Sequence, residues 1–169
     1  MSLPPTPQQT AGPYISLGLA PLSRPELVPE GAVGALVIRG RVLDGAGAGV
    51  PDGAVEIWQR PPAGTAAADW PGFGRCLTDP EGEFWFRTAR PVAGSGDAPH
   101  LELLVFARGL TRPVRTRLYL PDEAEANAAD TVLAGVPEDR RPTLVARAVG
   151  GQLLFDVRLQ GDGETVFFG

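Results

Sequence analysis

The sequence predicts an all-β fold: an antiparallel β-sandwich with an extended N-terminal arm and one short helix. Three observations point there. Glycine and proline are dense, at 22 and 18 of 169 residues, which cuts the chain into short segments separated by turns. Apolar residues recur with a period of two in several stretches, as half-buried strands require. About eight such segments follow one another at spacings of roughly ten residues, with a single helical excursion, which is the rhythm of two packed sheets. A chain of this length buries a core without disulfides or structural metal, so one domain is expected, with an arm over residues 1–31 and a sandwich over 32–169.

The arm is proline-rich and lacks periodicity, so it needs a surface to lie against. Within it, Thr10-Ala11-Gly12-Pro13-Tyr14 joins a glycine that permits close backbone approach to a proline that fixes direction and an aromatic hydroxyl. Tyr14 either straps onto its own domain or faces something else. From Ala35, ALVIRGRVLDG sets Leu36, Ile38 and Val42 on one face and Arg39 and Arg41 on the other, then turns at Asp44-Gly45. Ala54 to Gln59 is a second strand. A loop over 64–74 leads to a short strand from Arg75 to Thr78 and the turn Asp79-Pro80-Glu81-Gly82. Glu83 to Thr88 alternates Phe84 and Phe86 against Glu83, Trp85 and Arg87.

The central strand lies in APHLELLVFARG, residues 98–109. Leu101, Leu103, Val105 and Ala107 share one side, and Glu102, Leu104, Phe106 and Arg108 the other. Both faces are largely apolar, which predicts a strand inside a sheet covered on both sides. Arg108 leaves it where a charge needs water or an anionic partner. Arg115 to Leu120 is the next strand. Asp122 is expected to cap a short helix through Asn127, followed by a turn at 130–133. Thr143 to Val149 and Leu153 to Leu159 are the last strands, the latter with Leu153, Phe155, Val157 and Leu159 inward, and the tail ends in apolar Val166-Phe167-Phe168.

A net charge of -5 without any basic cluster argues against a nucleic-acid partner. No apolar run approaches membrane-spanning length, and the N-terminus lacks the basic and apolar regions of a secretory signal. With one cysteine, Cys76, a cytoplasmic protein is expected. His100 and Cys76 are the only nitrogen and sulfur ligands of the usual kind, too few for a zinc or iron centre built from this chain alone. No nucleophile elbow, dinucleotide fingerprint or phosphate loop occurs, and GAGAG at 45–49 is a turn. From the residues alone this is a sandwich without an obvious active site.

Several ordered strings add to that reading: TPQQTAGPY (6–14), GAVEIWQ (53–59), FGRCLTD (73–79), FARGL (106–110), TRLYLPDEAEANAADTVL (116–133) and FDVRLQGDGETVFF (155–168). In these the chain resembles the intradiol ring-cleaving dioxygenases, and among them the alpha subunits of members built from alpha and beta chains. The resemblance spans nearly the whole chain and implies a β-sandwich. It also implies a beta partner carrying a ferric ion on two tyrosines and two histidines, with O2 and protocatechuate as substrates and 3-carboxy-cis,cis-muconate as product, within the beta-ketoadipate route of aromatic breakdown.

In iron-binding members the histidine pair lies as P-x-H-I-H, and here the matching residues are Pro99-His100-Leu101-Glu102-Leu103, so Glu102 replaces the second imidazole. The tyrosine ligands would fall near 65–67 and within 91–98, and neither segment holds a tyrosine; Tyr14 and Tyr119 lie elsewhere. The resemblance therefore implies no metal site and no complete catalytic set in this chain. It implies instead that Thr10, Gly12, Pro13 and Tyr14 line a pocket shared with the beta subunit, and that Arg108 faces the substrate carboxylate. The alternative for Arg108 is an internal pair with Glu102 or an interface contact, and for His100 a core or interface role. Segments 18–35 and 61–74 look trimmed relative to the family. A non-catalytic binding or scaffold module is the competing reading of the chain as a whole.

Overall fold

The computed structural model describes residues 7, 9, 10, 12 and 14–169. Among the described residues nine strands fall in two sheets: β1 (Ala35–Leu43), β2 (Ala54–Trp58), β3 (Phe73–Leu77), β4 (Glu83–Ala89), β5 (His100–Phe106), β6 (Val114–Tyr119), β7 (Arg147–Val149), β8 (Gln152–Leu154) and β9 (Val157–Arg158). One sheet runs β4-β1-β8-β7 with β9 also on β1, and the other runs β3-β2-β5-β6. Ile38, Val42, Phe84, Phe86, Phe155 and Val157 from the first meet Val55, Ile57, Leu101, Leu103, Val105 and Leu118 from the second in one buried core. The period-two pattern is the cause, since it puts one apolar face of each sheet toward the other.

The structure departs from the sequence expectations at several places. β1 pairs with β8 and β9 in parallel, so the first sheet is mixed. The last predicted strand is split because the side chain of Asp156 accepts the Arg41 N–H at 2.9 Å, where a strand would offer a carbonyl. Pro142 starts a 3-10 turn at Arg141–Leu144, which shortens the preceding strand to β7. In the arm, Tyr14–Leu19 is a short helix, α1, anchored by buried Ile15. Arg24 and Glu26 then bridge to Arg75 and Arg87, so this part of the arm fastens to strands of both sheets. Two further short helices, α2 (Ala124–Ala129) and α3 (Thr131–Ala134), follow β6. Asp122 does not cap α2; it pairs with Arg90 at 2.9 Å, whereas Asp130 caps α3 through the Leu133 N–H at 2.7 Å. The apolar tail is explained by packing: the Phe168 N–H bonds to Arg115 at 2.8 Å along β6, and Phe167 joins the core.

β5 sits between β2 and β6 as expected, but only one of its faces is fully covered. Leu101, Leu103 and Val105 are buried, while His100, Glu102, Leu104 and Phe106 are half-buried. That second face and the two ends of β5 position everything that follows.

Candidate functional site

At the C-terminal end of β5 the chain turns sharply. The Leu110 N–H returns to the Ala107 carbonyl, and Gly109 takes a φ of +88° open to glycine, which throws Arg108 outward. Its side chain is 56% exposed and its Nη2 donates to Asp52 Oδ2 at 2.5 Å. The arm arrives at the same turn: Thr10 Oγ1 accepts from the Gly109 N–H and from the Gly12 N–H, each at 3.3 Å. Thr10, Gly12 and Arg108 are thus brought together. Tyr14 follows at the start of α1 with 75% exposure, so it does not strap onto this domain; Ile15 does. Pro13 lies outside the described residues. The pairing of Arg108 with Glu102 is not formed, because Glu102 stands near the opposite end of β5 and faces other partners.

That opposite end opens on a cleft of about 350 Å3, lined among others by Trp58, Val92, Asp97, His100, Glu102 and Arg117. Strand register creates it, since Glu102 is flanked directly by Trp58 on β2 and Arg117 on β6. Glu102 Oε1 accepts from Arg117 Nε at 2.8 Å and lies 3.4 Å from His100 Nε2. Burial works against its ionisation, but His100 and Arg117 outweigh that and hold its carboxyl below the usual range. His100 Nδ1 bonds to the Ala98 carbonyl at 2.7 Å. Beneath, Tyr119 donates to Asp130 at 3.1 Å and receives Arg117 at 3.3 Å. Burial is the main reason that its hydroxyl is pushed up to about 12. Asp130 in turn accepts the Ala98 N–H at 2.8 Å, which fixes the entry to β5.

This cleft does not fit a transition metal. It offers one imidazole and two carboxylates, Asp97 and Glu102, both already facing the Arg117 guanidinium at 3.7 Å and 2.8 Å, and of the Glu102 oxygens Oε2 is buried without a hydrogen-bond partner. Among the described residues no three His, Cys, Asp or Glu side chains converge in a way that could hold a metal ion.

Comparison with known proteins gives the lineage. The chain is 38% identical to the protocatechuate 3,4-dioxygenase alpha chain of Pseudomonas putida, over 98% of this chain and 96% of that one. This chain belongs to the protocatechuate 3,4-dioxygenase alpha-chain family. It is 40% identical to the alpha chain of Burkholderia cepacia over 96% of each. The beta chain from the same organism is 32% identical over 77% of this chain and 66% of its own length, so alpha and beta chains share one ancestry. The alignment with the Pseudomonas alpha chain spans 194 positions, more than the 169 residues here, so that relative carries segments with no counterpart in this one. Among solved structures, the dioxygenase domain of a dioxygenase–carbohydrate-binding fusion from Streptomyces sp. SirexAA-E superposes with a TM-score of 0.65 at 28% identity, covering 94% of this chain and 99% of that one. Hydroxyquinol 1,2-dioxygenase from Pseudomonas putida DLL-E4 shares the fold at TM-score 0.62, with 18% identity, over 80% of this chain and 59% of that one. No family model matches the chain.

Intradiol dioxygenases are non-haem iron enzymes. In this alpha-chain family member the groups around His100 form a network of ion pairs and hydrogen bonds. Sequence reasoning singled out His100, Glu102 and Arg108, but it missed Asp52, Arg117 and Asp130. Arg117 was findable, since it follows β5 on the next strand in antiparallel register with Glu102. Asp52 was not, because Pro51-Asp52-Gly53 announces a turn but not that the turn meets Arg108, 56 residues further along the chain. Among the described residues no helix is long and apolar enough to cross a membrane.

Proposed function

We propose that this chain is the iron-free subunit of an alpha/beta intradiol dioxygenase, lending Thr10, Gly12, Pro13, Tyr14 and Arg108 to the substrate pocket of a ferric beta partner. The observation that carries the reading is placement. Arg108 and the arm gather at the end of β5 opposite the His100–Glu102 cleft, and both Arg108 and Tyr14 point into solvent. They are too far from this chain's own cleft to serve it, so they face a centre supplied by another chain.

The substrate is protocatechuate, whose ring opens between its two hydroxyl-bearing carbons as both atoms of O2 enter the product, 3-carboxy-cis,cis-muconate; that chemistry belongs to the partner's ferric ion. This chain's residues bind, orient and exclude water. The Arg108 guanidinium gives the ring carboxylate a charge-assisted contact, strong once the pocket closes, and favours the carboxylated ring over plain catechol. The arm, tied by Thr10 to Gly109, leads on to the exposed Tyr14 at the start of α1, which we assign to the same pocket. A cytoplasmic setting agrees with the single cysteine, free and buried at Cys76.

Co-expression with a beta partner tests the proposal. The complex is expected to contain iron and cleave protocatechuate, while the isolated chain does neither. If the beta chain has the same iron content and activity with or without this chain, it is a scaffold module instead.

A further inference from the structure

Asp52 lies in the turn between β1 and β2 and is the one non-glycine residue with positive φ, +56°, among the described residues. Side chains other than Asn and Asp avoid that region. The turn is nevertheless held rigidly in it. Thr78 Oγ1 accepts the Gly53 N–H at 2.7 Å and donates to the Val50 carbonyl at 2.9 Å, gripping the backbone on both sides of Asp52. The result is a carboxylate presented from a fixed turn to Arg108, at 2.5 Å. With side-chain exposures of 43% and 56%, such a pair adds little to folding stability, so stability does not account for it.

We propose that Asp52 is a positioning residue for Arg108. A long, exposed arginine samples many rotamers, and an anionic ligand that needs its fork must first freeze them. Asp52 engages Nη2 alone, which leaves other guanidinium N–H donors, both of those on Nη1 included, for the carboxylate of a catecholic acid. Thr10 accepts the N–H of the next residue, Gly109, so the backbone beside Arg108 is tied to the arm while Asp52 holds the guanidinium. The inference rests on the reading of Arg108 as the carboxylate-binding group, and it adds that specificity for the acid is built in part by a residue that does not touch it.

The test uses the assembled alpha/beta enzyme with D52G and D52N. Glycine takes the same φ without strain and asparagine tolerates it, so both variants should fold with unchanged Tm. KM for protocatechuate is expected to rise about tenfold, with kcat changed by less than about twofold, because a charge-assisted positioning contact is lost but the reacting groups are not. KM for plain catechol should stay put. An unchanged or lowered KM for protocatechuate in both variants overturns the inference, the lowered value meaning that Asp52 competes with the substrate. An equal rise for catechol overturns it too, as a general distortion of the pocket. R108A in the same series separates the two ideas. If R108A discriminates between the substrates and D52G does not, only the role of Asp52 fails; if R108A does not discriminate, the reading of Arg108 fails and Asp52 with it.

Discussion

Replacing Arg108 by Ala in the complex should weaken productive binding of protocatechuate by about 2 kcal/mol or more, the usual cost of removing a charged hydrogen bond from a closed pocket. Catechol, which has no carboxylate, should be affected less, and equal losses in kcat/KM for both would remove Arg108 from that role. Asp130 makes a different kind of case. It is 1% exposed and receives the Leu133 and Ala98 N–H groups and the Tyr119 hydroxyl. Burial alone would raise its pKa, but those donors outweigh it and hold the carboxyl below the usual range. Because the folded value lies under the unfolded one, near 3.9, the stabilisation is present above about pH 4 and fades as pH falls through the folded value. Asp130→Asn sets an amide N–H against a backbone donor and should cost about 2–3 kcal/mol at pH 7. In urea titrations the gap to the unaltered protein should narrow as pH drops below about 4; a gap independent of pH would mean that shape, not charge, matters there.

At the scale of elements, β1 is the most constrained. Gly40 pairs with Phe84 on β4, and a methyl on it would overlap the carbonyl of Phe155 and crowd the Phe84 ring. Gly40→Ala should therefore cost about 3 kcal/mol or more, or prevent folding, as measured by thermal unfolding and soluble yield; near-normal stability would show that the chain at Phe155 can retreat. In α1 the two neighbours divide the work. Ile15→Ala should speed hydrogen exchange over residues 14–19, because it removes the buried anchor, while Tyr14→Ala should leave exchange alone and lower turnover of the complex. The strand faces were legible because burial imposes a period of two, and Phe84, Phe86, Leu101 and Leu103 obey it. The break between β8 and β9 was not legible, since it is made by the Asp156 carboxylate acting on Arg41 from the far end of the chain. Helix α1 escaped for a related reason: one buried side chain, not an amphipathic pattern, holds it. Family motifs pointed to Thr10, Gly12, Pro13, Tyr14 and Arg108 as the proposed pocket residues, whereas the network that occupies His100 and Glu102 became visible only once β5 and β6 were in register.

The whole molecule is a sandwich whose two sheets are joined mainly by their facing apolar side chains and by the arm where it bridges to Arg75 and Arg87. It shares its ancestry with beta chains, so one scaffold serves both kinds of chain, and in this one ion pairs occupy one end of β5 while Arg108 faces outward at the other. The parallel pairing of β1 with β8 and β9 has a consequence for how such a molecule is made. On the ribosome β1 finds β4 soon after it emerges, but its other edge has no partner until residues 152–158 have been synthesised. Nascent chains thus carry a long-lived open edge, and fragments ending before Gln152 should clump on release rather than persist as soluble intermediates.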